Sequence, residues 1–81
     1  MPMPQITVHY FAALREARGR ERESVDVPEN TTMEGLLATL FPGPPSLTQG
    51  VCFARNHEIV PSDSVVHQDD VVVFLPPFGG G

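Results

Sequence analysis

The segment Val71-Val-Val-Phe-Leu-Pro-Pro-Phe-Gly-Gly-Gly81 joins a strand-like apolar run to a glycine-rich end. Its first five residues, 71–75, are β-branched, aromatic or aliphatic, which is typical of a buried strand. Pro76 and Pro77 have no N–H to donate, so they end hydrogen-bonded pairing and hold the backbone extended. The segment therefore predicts a core strand that leads directly into an extended tail, residues 76–81.

The tail is suited to entering a narrow site. Its six residues span about 20 Å when extended, far enough for a terminal carboxylate to reach a partner's active site. Glycine has no Cβ, so the last carboxylate, that of Gly81, is open to attack from both faces. The alternative is a disordered terminus or an expression remnant. The combination of a strand, two prolines, one aromatic residue and glycines favours a functional tail.

Length and charge limit what the chain does. Its 81 residues are expected to form a single domain, 1–81, with a modest core. The net charge of −5 argues against nucleic-acid binding, which needs clustered lysine and arginine. A phosphorylated substrate would have to be held by a basic partner. All five cations are arginine, so the chain cannot build isopeptide-linked chains on its own side chains.

We expect a cytoplasmic location with no membrane association. The one cysteine, Cys52, excludes an intrachain disulfide and suits a reducing compartment. The start, residues 1–5, lacks the basic and apolar regions of a signal peptide, and no apolar run approaches the roughly 20 residues that span a bilayer.

The first half of the chain predicts two paired strands and a helix. Residues 5–11 alternate with the period of a strand, and residues 12–19 are strong helix formers closed by Gly19. A second strand over 24–27 is expected to pair antiparallel with the first, and the charged run 20–23 is read as a solvated face or an edge strand.

The main helix is expected from about Thr31 to Phe41. Thr31 and Glu34 form a capping box or a one-residue variant of it, and Pro42 cannot continue the helix. One apolar stripe faces the sheet: Met33, Leu36, Leu37 and Leu40.

Three further strands complete an α+β arrangement. They are expected over 51–55, 58–60 and 71–75, with Asn56 in a turn that accepts a positive φ. The order predicts a mixed sheet with one main helix on one face.

The body of the domain shows no pattern of site chemistry. His9, His57 and His67 lack ligand spacing, so a metal site is not expected. Cys52 is expected in the core, and Asp69-Asp70 is read as turn chemistry. No phosphate loop or dinucleotide fingerprint is present.

Two motifs carry a family resemblance. The Phe-Ala-x-Leu-Arg-Glu segment, 11–16, and the Phe-x-Pro-Pro-x-x-Gly-Gly ending, 74–81, resemble the MoaD/ThiS ubiquitin-like sulfur carriers, in particular the small subunits of molybdopterin synthase. The resemblance covers nearly all of the chain from Ile6 and implies a β-grasp fold, the ubiquitin-like arrangement of a mixed sheet over a helix. The family's usual Asp-Gly-Asp turn is Gln68-Asp69-Asp70 here, so Asp69 is expected at a position that suits glycine. Phe78 replaces the more usual aliphatic residue.

The resemblance implies a chemistry for the tail. An adenylating enzyme of the ubiquitin-activating type, using ATP and magnesium, would activate the Gly81 carboxylate, and a sulfur donor protein would convert it to a thiocarboxylate. The large synthase subunit would hold the pyranopterin precursor in a heterotetramer. The chain itself would bind no cofactor and supply sulfur without an acid–base residue.

The resemblance also implies site residues. Gly80 and Gly81 would carry the reaction. Phe11, Ile59 and Leu75 would contact partners from the sheet surface near the tail, the alternative being that all three are core. Phe78 and Gly79 would bind within a partner.

Three other functions stay open. The chain could carry sulfur for thiamine, cysteine or thiolated RNA, or it could be a ubiquitin-like modifier joined to target lysines through Gly81. It could also be an interaction domain whose tail is incidental.

Overall fold

The structure is a five-stranded mixed sheet with two helices, seen in a computed structural model that describes residues 3–43, 46 and 48–76. The elements follow in chain order: β1 Gln5–His9, α1 Ala12–Arg18, β2 Arg22–Asp26, α2 Met33–Leu40, β3 Cys52–Arg55, β4 Glu58–Val60 and β5 Val71–Leu75. This order confirms the expected α+β class, and the β-grasp architecture is confirmed as well. The part of the chain described here holds no helix long and apolar enough to cross a membrane.

The last strand lies at the centre of the sheet, whose strand order is β2-β1-β5-β3-β4. β1 pairs antiparallel with β2, as expected, and parallel with β5, with Val8 opposite Val72. β5 then pairs antiparallel with β3, placing Phe74 opposite Phe53. β5 is paired on both sides at Val72 and Val73, and its last two residues, Phe74 and Leu75, pair with β3 alone, so backbone pairing continues up to the residue before the tail.

Alternate strand residues form the core on one face of the sheet. Ile6, Val8, Val72 and Phe74 are each at most 1% exposed. The predicted stripe of α2 packs into the same cluster: Met33, Leu36, Leu37 and Leu40. Burying each such side chain contributes about 1.5–3 kcal/mol, so this helix–sheet contact is the main source of stability.

The cap of α2 is shifted by one residue from the expected box, and Glu34 forms no reciprocal side-chain hydrogen bond with another described residue. Thr32, not Thr31, is the N-cap, and its Oγ1 accepts a 3.1 Å hydrogen bond from the Gly35 N–H. The Thr31 hydroxyl instead donates to the Pro28 carbonyl at 2.7 Å. Glu34 remains in the first turn, where its charge suits the positive end of the helix.

Two expectations need correction. β1 ends at His9, not Phe11. The Tyr10 N–H still donates to the Glu21 carbonyl in the register of the β1–β2 pair, but Phe11 is already the N-cap of α1. Cys52 is half-buried, not a core residue. It pairs with Leu75 on the sheet face away from the core, so alternation along β3 directs it outward.

The start of β5 is fixed by a polar cluster. The Asp70 carboxylate is 8% exposed and accepts hydrogen bonds from the His67 N–H at 2.8 Å and the Asn56 side-chain amide at 2.9 Å. The Asn56 side-chain oxygen in turn accepts from the Val71 N–H at 2.9 Å. Asp70 therefore does more than turn the chain: it joins the β3–β4 turn to the first residue of β5.

Candidate functional site at the end of the central strand

The tail begins at Pro76, directly after the end of β5 and at the same end of the strands as Phe11. β1 and β5 are parallel, so Phe11 and Pro76, which follow them, lie together and line the same cleft. Pro76 is the last described residue at this end. The predicted site residues Phe78, Gly79, Gly80 and Gly81 lie outside the described residues.

The sheet face opposite the core, here called the open face, leads up to the tail. Leu75 lies opposite Cys52, while Ala54 lies between Val73 and Ile59. Ile59 is 62% exposed and Leu75 is half-buried. The buried side chains of both helices belong to the core cluster on the other face. The open face therefore presents aliphatic side chains that no described element covers.

Phe11 is presented beside the tail by the start of α1. Its side chain is 48% exposed, and its backbone is extended at the N-cap, whereas the next residue, Ala12, has φ 48°. This left-handed residue turns the chain sharply from β1 into α1. Phe11 borders an apolar cleft of about 110 Å³ whose wall includes Leu14, Phe74 and Pro76. Of the three residues expected to contact partners, none is in the core cluster.

A second cleft, of about 230 Å³, opens on the other side of Phe11 and is more polar. It is lined by His9, Tyr10, Phe11, Arg15, Glu21 and Arg22. Two clefts therefore lie at the end of the sheet where the tail begins, one apolar and one partly cationic, and Phe11 lines both.

A partly buried polar network joins β2 to the residues around α1 that lie next to these clefts. The Tyr10 hydroxyl donates to Glu23 Oε1 at 2.5 Å, and Arg18 donates to the same oxygen through both Nε and Nη2. Arg18 Nη1 also reaches the Leu40 carbonyl at the end of α2. Burial alone would raise the pKa of Glu23, but the hydrogen bonds from Tyr10 and Arg18 outweigh it and lower the pKa. Burial, with Glu23 adding to it, raises the pKa of Tyr10 well above its usual range.

Sequence reasoning missed this network. The charged run 20–23 predicts a solvated face or an edge strand. Arg22 and Glu23 do lie in the edge strand β2, but the Glu23 side chain is only 10% exposed. The available signal was the strand period, since Glu23 shares the inward face of β2 with Val25, opposite Val8 and Ile6.

The body offers no catalytic constellation among the residues that the structure describes. In this part of the chain, no three His, Cys, Asp or Glu side chains are placed to hold a metal ion. His57 and His67 are exposed, and the closest carboxylate contact of His67, to Asp70, is 3.9 Å.

The sequence matches one family model over residues 8–81, that of the ThiS family. A molybdopterin synthase sulfur carrier subunit from Chlamydomonas reinhardtii is 37% identical, over 95% of this chain and 99% of that protein. One from Mycobacterium tuberculosis is 36% identical, over 98% and 100%.

Solved structures share the fold. The small archaeal modifier protein 1 of Haloferax volcanii has a TM-score of 0.75 at 22% identity, over 91% of this chain and 98% of that one. A complex of subunits 1 and 2 of the molybdopterin-converting factor from Helicobacter pylori contains a chain with a TM-score of 0.61 at 22% identity, over 95% and 99%.

Proposed function

The chain belongs to the ThiS family, and we propose that it is the sulfur carrier subunit of a molybdopterin synthase. The observation that carries this proposal is the full-length likeness to relatives with that name, at 37% and 36% identity. The structure supports it physically, because a central strand with a neighbour on each side leads straight into the glycine-rich segment. A tail held on such a strand starts from a fixed point.

The reaction proceeds at the Gly81 carboxylate. This group is ionised at neutral pH and is a poor electrophile. Its oxygen attacks the α-phosphorus of ATP, pyrophosphate leaves, and an acyl-adenylate forms. The terminal sulfur of a protein persulfide then attacks the carbonyl carbon and expels AMP. A thiol reduces the resulting acyl disulfide and releases the Gly81 thiocarboxylate, a good nucleophile that gives its sulfur to the pterin precursor.

The chain's own role is to position this end. The adenylating enzyme binds ATP and magnesium, and the carrier holds neither. The carrier's net charge of −5 disfavours an anionic precursor, so the partner subunit holds the pterin phosphate. Each of these partners acts in the cytoplasm, where the half-buried Cys52 stays reduced.

The large subunit docks on the open face and on Phe11. The exposure of Ile59 and Phe11 and the half-burial of Leu75 support this placement, because large apolar side chains near a functional end mark interaction surfaces. The Helicobacter pylori complex supports a two-subunit assembly for a protein of the same fold. Beyond Pro76, Phe78 fills an apolar pocket of the partner and Gly79 to Gly81 enter its active site.

Intact mass tests the proposal. The protein is incubated with ATP, magnesium, a sulfide source and a candidate adenylating enzyme. We expect a gain of about 16 Da, because sulfur replaces oxygen. A variant that lacks Gly80 and Gly81, and so no longer ends in two glycines, is the matched control and should show no gain.

The mass-shifted protein is then mixed with the large subunit and the pterin precursor. Loss of the 16 Da together with appearance of the dithiolene product supports the molybdopterin pathway. A thiocarboxylate that forms but never transfers would assign the carrier to another sulfur pathway. Covalent adducts on other proteins' lysines, without thiocarboxylate, would assign it to protein modification.

A further inference from the structure

The outer side of β2 is a sheet edge with unpaired backbone groups. β2 is the first strand in the sheet order, and in the described part of the chain it pairs with β1 alone. Just before β2, the Glu21 carbonyl accepts from the Tyr10 N–H at 2.9 Å. Just after β2, the Val27 N–H donates to the Pro4 carbonyl, also at 2.9 Å. Odd-numbered residues of this segment therefore direct their backbone groups towards β1.

The even-numbered residues of β2 face outward. Successive residues of a strand turn their N–H and C=O groups to opposite sides. Arg22, Ser24 and Asp26 consequently present both groups at the free edge, and their side chains are exposed on the open face. The ladder to β1 runs without a bulge from Gln5 opposite Asp26 to His9 opposite Arg22. This edge is regular enough to accept another strand.

The two charged side chains on this edge have opposite signs and lie at equal distances from Ser24. Neither Arg22 nor Asp26 forms an ion pair or a side-chain hydrogen bond with another described residue. Edge strands that resist pairing carry prolines, bulges or charges that repel a second copy. Here a second copy turned by half a rotation brings each charge opposite its counter-ion.

We propose that two copies of the chain associate through β2, paired antiparallel about a twofold axis at Ser24. Arg22 of one copy then lies opposite the partner's Asp26, and the same contact recurs at the other end of the strand. Ser24 lies opposite the partner's Ser24. All three positions are of the outward-facing kind, so each pairing exchanges two N–H···O=C hydrogen bonds. The result is one sheet that runs through both copies.

The neighbouring registers fit less well. Keeping the outward groups paired requires even-numbered residues to face each other. One such shift places Glu23 opposite the partner's Glu23, and the shift in the other direction places Arg22 opposite the partner's Pro28, which has no N–H to donate. The register centred on Ser24 is the one that pairs every outward group of β2 and both charges.

This association is separate from the proposed sulfur chemistry. Ile59 lies on β4, the opposite edge of the sheet, so pairing through β2 leaves it exposed. We expect a dissociation constant on the order of 100 µM, because five residues from each copy bury less area than a standard protein interface.

Sedimentation equilibrium from 20 µM to 1 mM tests the pairing with two single variants. In Arg22→Asp each copy opposes carboxylate to carboxylate, and in Asp26→Arg each opposes guanidinium to guanidinium. Both should associate at least about tenfold more weakly than the wild type, since two cross-strand pairs change from attraction to repulsion. An equimolar mixture of the two variants again places opposite charges together and should associate like the wild type.

Net charge is controlled within the same set. Asp26→Arg makes the net charge of −5 less negative by two, which by itself would favour association. Glu58→Arg makes the same change at an exposed residue of β4, the other edge, and should not weaken association. Circular dichroism confirms that each variant is folded.

Amide hydrogen exchange of the wild type locates the contact. The amides of Arg22, Ser24 and Asp26 should exchange about fourfold more slowly at 1 mM than at 20 µM, because only the paired copies protect them. The amides of Glu23 and Val25 already face β1 and should not change.

Three results would overturn the inference. The first is a wild-type protein that stays monomeric at 1 mM, which would leave this edge to a different chain or to solvent. The second is association of Asp26→Arg as tight as that of the wild type. The third is a mixture of the two variants that stays monomeric. None of these results bears on the mass test of the proposed function, which uses the Gly81 carboxylate.

Discussion

Five residues other than glycine adopt a positive φ in the described part of the chain: Ala12, Asn30, Asn56, His57 and Asp69. Asparagine and aspartate accept this conformation more readily than most residues because their short polar side chains bond locally. Ala12 has no such compensation, and it stands where β1 turns into α1 beside Phe11. The strained positions thus cluster at turns that fix the two ends of the sheet.

Replacing Asp69 by glycine should stabilise the protein. Asp69 has φ 68°, and its carboxylate accepts only an exposed hydrogen bond from Gln68. Glycine removes the left-handed strain but adds freedom to the unfolded chain, so we expect a net gain of about 0.5 kcal/mol, or a rise in melting temperature of about 2–4 °C.

The matched control is Asp63→Gly, at an exposed turn residue without a positive φ. Thermal unfolding followed by circular dichroism should show this variant unchanged or less stable than the wild type. If Asp69→Gly melts lower than Asp63→Gly, the positive φ is not a source of strain in the folded chain.

The polar network ties four elements together. Glu23 on β2 accepts hydrogen bonds from the Tyr10 hydroxyl, just after β1, and from the Arg18 guanidinium in the last turn of α1. Arg18 also donates to the Leu40 carbonyl at the end of α2. With Glu23 removed, the buried Tyr10 hydroxyl and the partly exposed Arg18 guanidinium lose their shared acceptor. The short helix α1 is therefore held by a charge contact as well as by the buried Leu14.

The network predicts a dependence of stability on pH. The pKa of Glu23 is lowered from its ordinary value of 4.5, so its stabilising effect is fully present above pH 4.5 and is lost as the pH falls through the lower folded-state value. Glu23→Gln should cost about 1–2 kcal/mol at pH 7, and the difference from the wild type should shrink by pH 3. Denaturant unfolding at both pH values measures this.

Glu16→Gln is the control, because Glu16 is an exposed residue of α1. It should unfold like the wild type at pH 7. A Glu23→Gln variant that is equally destabilised at pH 3 and pH 7 would show that the changed hydrogen bonding of the amide, not the lost charge, causes the effect.

In the molecule as a whole, the two faces of the sheet differ in burial, and the proposed docking surface lies on the face away from the core. One face buries the core against α2, and the open face leaves Ile59 exposed and Leu75 half-buried beside the tail. A substitution on the open face should therefore change partner binding while leaving the fold intact.

Ile59→Asp should weaken binding to the large subunit by at least about 30-fold, the effect of losing 2 kcal/mol at an apolar contact. Stability should change by less than about 0.5 kcal/mol, because Ile59 is exposed. Isothermal calorimetry and thermal unfolding measure the two effects.

The control is Ala38→Asp, which places the same charge on the exposed side of α2. It should bind like the wild type. Equal loss of binding in both variants would indicate a general effect of added negative charge, and unchanged binding by Ile59→Asp would place the interface elsewhere.

The sequence by itself determined which segments form strands and helices and in what order. Alternation and β-branching located the strands, including the bounds of β5, and the i, i+3, i+4, i+7 stripe located the buried side of α2, because these local periods report directly which side of each element is apolar. The motifs at 11–16 and 74–81 indicated the family before any pairing was known.

Only the tertiary structure decided what depends on contacts between distant residues. It placed β5 at the centre of the sheet, turned Cys52 outward, and buried Glu23 beneath Tyr10 and Arg18, thirteen and five residues away. It also brought Arg15 and Arg22 together in the polar cleft beside Phe11. A charge pattern can be read from neighbouring residues in the sequence. Whether a charged side chain is solvated or paired depends on which strand or helix packs beside it, and that contact forms only when the chain folds.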